Sequence, residues 1–221
     1  MILIKKQHPP IKYLEYCATP NAVFDGLNSN NGKTELRESL LEEQGYICAY
    51  CMSKLTGDGD VKIEHFIPRN KENELKYKNL LAVCLGNEGH PLKEQHCDTR
   101  KGDHRLEFID PQNEYVIKKI KYKRDGTIYS DDVGINDELN QYLNLNYPNG
   151  YLKRNRRNAV KKLFCTLKKA GTNANVKRTL NKLKRDYLRE GTKEAYVGIL
   201  LYFIEKKLKA NDGKTATSSS G

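Results

Sequence analysis

The sequence predicts an α+β fold: short antiparallel hairpins in the first two thirds of the chain, then a bundle of amphipathic helices. Three observations carry this. Glycine and aspartate punctuate two places where short β-prone runs face each other, Thr56-Gly57-Asp58-Gly59-Asp60 and Asp125-Gly126. Apolar residues recur at helical spacing from Asn136 onward. Between the two turn signals, thiols, acids, histidines and an asparagine gather in one stretch, Cys48 to Lys101.

The elements follow in order. Residues 1–45 read as an extended start, a short helix near Ile11–Tyr16, and a second helix capped by Thr34 and stopped by Gly45. Residues 46–68 read as a two-stranded hairpin around the Thr56–Asp60 turn, with Val61-Lys62-Ile63 in a strand that Pro68 closes. Residues 70–80 cross to Asn79, Leu80-Leu81-Ala82-Val83 pack beneath, 85–96 form an inserted loop, and 97–106 form a helix with Asp98 on its first turn. Tyr115–Lys123 and Thr127–Tyr129 make a second hairpin, whose Tyr122 and Tyr129 either pack or stack on bases. Residues 46–134 thus form a core with an added hairpin. Residues 135–210 carry three amphipathic helices, the last capped by Thr192, and 211–221 read as a disordered tail.

Composition sets the outer limits. A chain of 221 residues, 38% hydrophobic and 30% charged, can bury one good core or two small ones. No apolar run approaches the roughly 20 residues that span a bilayer. Six cysteines without a signal-peptide pattern suit a reducing cytoplasm, where thiols bind metal rather than pair. The formal net charge of +11 favours an anionic partner, nucleic acid first among them. That charge is uneven. Residues 151–209 hold 18 Lys and Arg against 4 Asp and Glu, a net of +14 that leaves −3 for the rest. Lys153, Arg154, Arg156, Arg157, Lys161, Lys177 and Arg178 on the first two helices are therefore candidate phosphate contacts, with a plain solvated face as the alternative.

The chemistry sits in the middle stretch. The Cys48-x2-Cys51 spacing lets two thiolates face one tetrahedral zinc, and Cys84 and Cys97 can complete it. Such a zinc is structural, because four thiolates leave no position for water. Unrelated buried thiols and two disulfides are the alternatives. Glu64 and His65 are adjacent, so on a strand they face opposite sides, and joint chemistry needs a local bend or a metal between elements. His65 can take a proton from water, while Glu64 and Asp98 offer hard oxygen ligands for Mg2+ or Mn2+. Arg100 and Lys101 can neutralise phosphate. A satisfied, half-buried imidazole is the plain alternative for His65.

Taken together, Glu64-His65, Asn79 and Cys97-Asp98-x-x-Lys101 resemble the HNH endonucleases, with a ββα-metal fold and zinc-knuckle cysteines. The resemblance implies that Glu64 is an acidic metal ligand, His65 the general base, and Asn79 the residue that holds the motif's loop and orients the histidine. Asp98 stands where that family usually has His or Asn as second ligand, so His96 or His104 could contribute instead; His90 is a further loop histidine. The opening Ile4-Lys5-Lys6, the run Glu43 to Cys51 and the close His96 to Gly102 are similar to the PtuB branch, the HNH subunits of Septu-type anti-phage systems, some of them linked to retrons. That likeness spans about residues 1–150. It implies a PtuA-like ATPase partner and, in retron-linked systems, a reverse transcriptase with its msDNA. The implied activity is hydrolysis of phosphodiester bonds in DNA, or in RNA such as tRNA. A non-catalytic, zinc-stabilised module that binds nucleic acid or protein is the rival reading.

Overall fold

The computed structural model describes residues 1–57 and 59–217; Asp58 of the expected turn and residues 218–221 of the expected tail lie outside it. Helices α1 (Ile11–Cys17) and α2 (Lys33–Gln44) lead into a tight loop at 46–55. Strand β1 (Val61–His65) then pairs antiparallel with β2 (Leu80–Cys84), in register from Val61 opposite Cys84 to His65 opposite Leu80. Helix α3 (Cys97–Lys101) packs on β2. A second part follows: α4 (Glu114–Lys119), a hairpin of β3 (Lys121–Tyr122) and β4 (Ile128–Tyr129), and α5 (Val133–Asp137) running into a π-helical turn. The long helices α6 (Tyr151–Lys169), α7 (Asn173–Leu188) and α8 (Val197–Thr217) close the chain, so α8 extends into residues read as tail.

Strand β2 is the axis of the core. All five of its residues are buried, between α2 on one side and α3 on another. Its fully buried Leu80, Leu81 and Val83 side chains each stabilise the fold by roughly 1.5–3 kcal/mol. Gln44, 2% exposed at the end of α2, donates to the carbonyls of Ala82 (2.7 Å) and Ile47 (3.1 Å) and accepts from the Ala82 amide (2.9 Å). One side chain thereby satisfies backbone groups of β2 that have no strand beside them.

Several expectations are corrected. Residues 46–55 do not pair with β1. They close on themselves, with Cys48 N–H on Ser53 O at 2.9 Å and Leu55 N–H on Tyr46 O at 2.9 Å, because two cysteines aimed at one point need a tight turn. Residues 114–119 are helical rather than extended, because Asn113 caps them by accepting from the amides of Tyr115 and Val116. Helix α2 starts after Gly32, not at a Thr34 cap, while Gly45 ends it at φ 66° as expected. Helix α3 stops at Lys101, short of residue 106. Thr192 caps nothing: α8 begins at Val197, and the segment before it is bound to the loop at 46–55 and its approach, through Lys193 N–H on Gly45 O and Tyr196 N–H on Met52 O, both 2.8 Å. Of the two readings of Tyr122, packing holds: it is buried and meets the amino group of Met1.

Arg156 is the largest correction. Its side chain is 1% exposed and donates to Gly126 O and Leu145 O, both at 2.6 Å, and to Asn146 Oδ1 at 3.2 Å. It fastens α6 to the β3–β4 turn and to the chain before α6, and does not face a nucleic acid. Gly126 itself sits at φ 91°, and a Cβ there would meet Lys153 O at 2.1 Å. The substitution Arg156→Met should lower stability by about 2–4 kcal/mol, since it leaves two buried carbonyls without donors. Arg157→Ala, on the exposed face of α6, should stay within about 0.5 kcal/mol. Urea unfolding of both variants checks this.

Candidate active site

The four cysteines named from spacing come together. Cys48, Cys51, Cys84 and Cys97 are buried, with all four sulfurs within 4.8 Å of one another. Cys48 and Cys97 Sγ are 3.8 Å apart, and Cys51 and Cys84 Sγ 3.7 Å. A disulfide needs about 2.05 Å. A tetrahedron of zinc–sulfur bonds of about 2.3 Å has edges of about 3.8 Å, so the thiols fit a zinc ion. Burial and its sulfur neighbours hold the Cys97 thiol well above the ordinary value. Against burial, hydrogen bonds from Cys48, Cys84 and Cys97 hold Cys51 well below it. His96 lies against this cluster, its Nδ1 3.2 Å from Cys97 Sγ and its Nε2 2.9 Å from the Tyr151 hydroxyl. His90 is in the exposed loop beside Glu94, and His104 stacks on Tyr142 with ring centroids 3.4 Å apart.

Next to the cluster lies an acid pair. Glu64 is 5% exposed and accepts from the Tyr50 hydroxyl at 3.1 Å and from Lys101 Nζ at 2.7 Å. Asp98, on the first turn of α3, is the second acid that acts on it. Burial and the Asp98 carboxylate push Glu64 up to about 9, with Lys101 pulling the other way. Two carboxylates in contact cannot both ionise without a proton or more positive charge. Oxygen donors so arranged suit a hard divalent cation. Lys62, from the same face of β1, approaches Asp98 Oδ2 at 4.0 Å while bound to Glu88 at 3.0 Å and Thr99 Oγ1 at 3.1 Å.

His65 lies on the other face of β1, without the bend that a shared site seemed to need from sequence. The strand stays paired through His65, so its side chain alternates away from Glu64. Nε2 meets Glu74 O at 2.9 Å, and a carbonyl only accepts, so Nε2 carries the proton and leaves Nδ1 as the basic nitrogen of the neutral ring. The Phe24 ring stands edge-on at 4.5 Å. Burial holds the His65 pKa below its ordinary value, with the Glu74 carbonyl opposing. Asn79 accepts from the Ile67 amide at 2.7 Å and donates to Ile67 O at 3.0 Å, and its own carbonyl accepts from Phe66 N–H at 2.8 Å. The chain just after His65 is clamped in both directions.

The basic residues divide. Arg154, Arg157, Lys161, Lys177 and Arg178 are exposed, and Lys153 pairs with Asp125 at 3.0 Å. Arg100, half-buried, donates to Leu92 O at 3.0 Å and Gln141 O at 3.2 Å, so part of its guanidinium holds the inserted loop. Lys101, 4% exposed, faces Glu64 and is not at the surface. Sequence reasoning missed Tyr50, Phe24 and Lys62. Tyr50 sits inside the Cys48–Cys51 knuckle, which was the available signal; nothing near Phe24 gave one.

Comparison with protein-family models finds no match for the chain. An Escherichia coli protein named as a candidate HNH endonuclease of retron Ec83 is 32% identical over 78 residues, 30% of this chain and 30% of that protein. The chain therefore matches under a third of that relative's length. The likeness supports a relationship to HNH endonucleases. Among the described residues, no helix is long and apolar enough to cross a membrane.

The cysteine cluster makes a direct prediction. Metal analysis should find about one zinc per chain, and Cys48→Ser should lose it together with a cooperative thermal transition. A Cys48→Ser chain that melts like the parent would refute a structural zinc.

Proposed function

We propose that the chain is a metal-dependent endonuclease of the HNH type that hydrolyses phosphodiester bonds, with DNA as the substrate of first choice and structured RNA as the second. The single observation that carries this is the held imidazole: His65 has Nε2 fixed on Glu74 O and Nδ1 left basic, on a strand whose preceding residue belongs to a buried acid pair. Nδ1 takes the proton of the attacking water as the water oxygen bonds to phosphorus and the bond from phosphorus to the leaving oxygen breaks. Burial keeps the ring neutral near pH 7, the state a base needs. Asn79 is a positioning residue that fixes the backbone after His65. Glu64 and Asp98 would hold a divalent cation, Mg2+ or Mn2+, which would supply positive charge for the phosphate. Because the acid pair and His65 face opposite sides of β1, the phosphodiester must cross the end of that strand to meet both. Arg154, Arg157, Lys161, Lys177 and Arg178 grip the backbone without reading sequence.

We assign the protein to a cytoplasmic anti-phage complex, of the PtuB kind, with an ATPase partner and in a retron setting with msDNA. The run of residues around the knuckle and the retron origin of the Escherichia coli relative support this reading. A nuclease of this kind must be held in check, so the isolated chain should cut slowly.

Cleavage of duplex DNA, single-stranded DNA and tRNA in Mn2+ tests the assignment. His65→Ala should reduce cutting to background while zinc content and melting stay unchanged. Asn79→Ala should slow it by about 100-fold, as a misplaced base does. A His65→Ala protein that cuts like the parent would falsify the role given to His65, and absence of cutting by either protein under every condition would favour a zinc-stapled binding module.

A further inference from the structure

Lys101 occupies an unusual place for a lysine. Its ammonium lies 2.7 Å from Glu64 Oε1, and its second contact, Gly102 O at 3.1 Å, is the carbonyl just after its own helix. Buried and turned inward, it does not reach a phosphate. The groups that neighbouring elements bring to the two acids are Tyr50 from the knuckle, Lys62 from β1 and Lys101 from α3. Lys62 is already bound by Glu88 and Thr99. The positive charge seated on the acid pair is therefore Lys101.

Resting on the metal-site reading above, we infer that Lys101 is a built-in competitor for the divalent cation, and that it makes metal binding depend on the arrival of a phosphodiester. Charge in a buried site must balance. Metal binding takes both acids as carboxylates, and with the one ammonium beside them that set carries one negative charge. A divalent cation then leaves one positive charge in a poorly solvated place, which weakens its binding. The single negative charge of a phosphodiester brings the set to neutrality. Metal and substrate thus favour each other, and the coupling is reciprocal. Without Lys101, the two acids and the metal balance alone. The device keeps the resting protein poor in catalytic metal and ties loading to substrate.

The test is Mn2+ binding to the zinc-loaded full chain, read by electron paramagnetic resonance, on a His65→Ala background where nothing is cut. Lys101→Met should bind Mn2+ on the order of tenfold tighter than the Lys101 parent when DNA is absent. Duplex DNA should tighten binding more in the parent than in Lys101→Met. Glu64→Gln should remove the site. Equal or weaker Mn2+ binding by Lys101→Met, with Glu64→Gln still abolishing it, overturns the inference and leaves the nuclease reading standing. Absence of an Mn2+ site at Glu64 in every protein overturns both. If Lys101→Met is unstable without metal, melting decides: a larger Mn2+-induced rise in Tm than the parent's supports the inference. An equal or smaller rise, or a chain that stays unfolded in saturating Mn2+, overturns it.

Discussion

Four sulfurs packed within 4.8 Å of one another in a buried pocket repel one another as thiolates and gain little as thiols, and a divalent cation removes both difficulties. Much of the site inherits its geometry from this cluster. Cys84 closes β2, so it fixes the end of the register that sets Glu64 opposite Leu81. Cys97 opens α3, a single turn that carries Asp98 and Lys101 to Glu64. A five-residue helix has no stability of its own. Its position comes from the cysteine at its start, the Leu143 carbonyl that accepts from the Cys97 amide at 3.0 Å, and the packing on β2. Shift Cys97, and the acid pair comes apart.

The histidine half of the site depends on different contacts. His65 is oriented by the Glu74 carbonyl and the Phe24 ring, and the chain after it by Asn79. None of these touches the cysteines. The alternation of β1 separates the two halves: Lys62 and Glu64 face the cluster side, while His65 faces the loops around Phe24 and Glu74. The acid pair and His65 can thus be weakened independently, and a variant that removes one need not disturb the other.

What the sequence made legible is what short spacing determines. The C-x2-C knuckle, the Cys97-Asp98-x-x-Lys101 turn and the loop-holding asparagine all appear where expected, because each is a local arrangement that only has to meet one partner. The errors have a common cause. Lys101 and Arg156 look like their exposed neighbours in a basic sequence, and only the tertiary fold decides which cations end on carbonyls or a buried acid. The strand read at 115–119 lost to a cap three residues upstream of Val116, and the hairpin read at 46–68 lost to β2, whose apolar run offered β1 a buried partner. Tyr50 and Phe24 reach the site across the fold, and no periodicity announces such contacts.

The basic helices are joined to the cysteine loop itself. Tyr151 of α6 meets His96, Asn155 of α6 donates to the Tyr196 hydroxyl at 3.1 Å, and that hydroxyl meets Ser53 within the loop at 3.1 Å. Tyr196 N–H on Met52 O and Lys193 N–H on Gly45 O add backbone ties. A hinge that swung α6 away from the cysteine loop would break these contacts. For the nuclease we propose, restraint is better placed inside the acid pair, where one ammonium can hold a carboxylate without moving a helix.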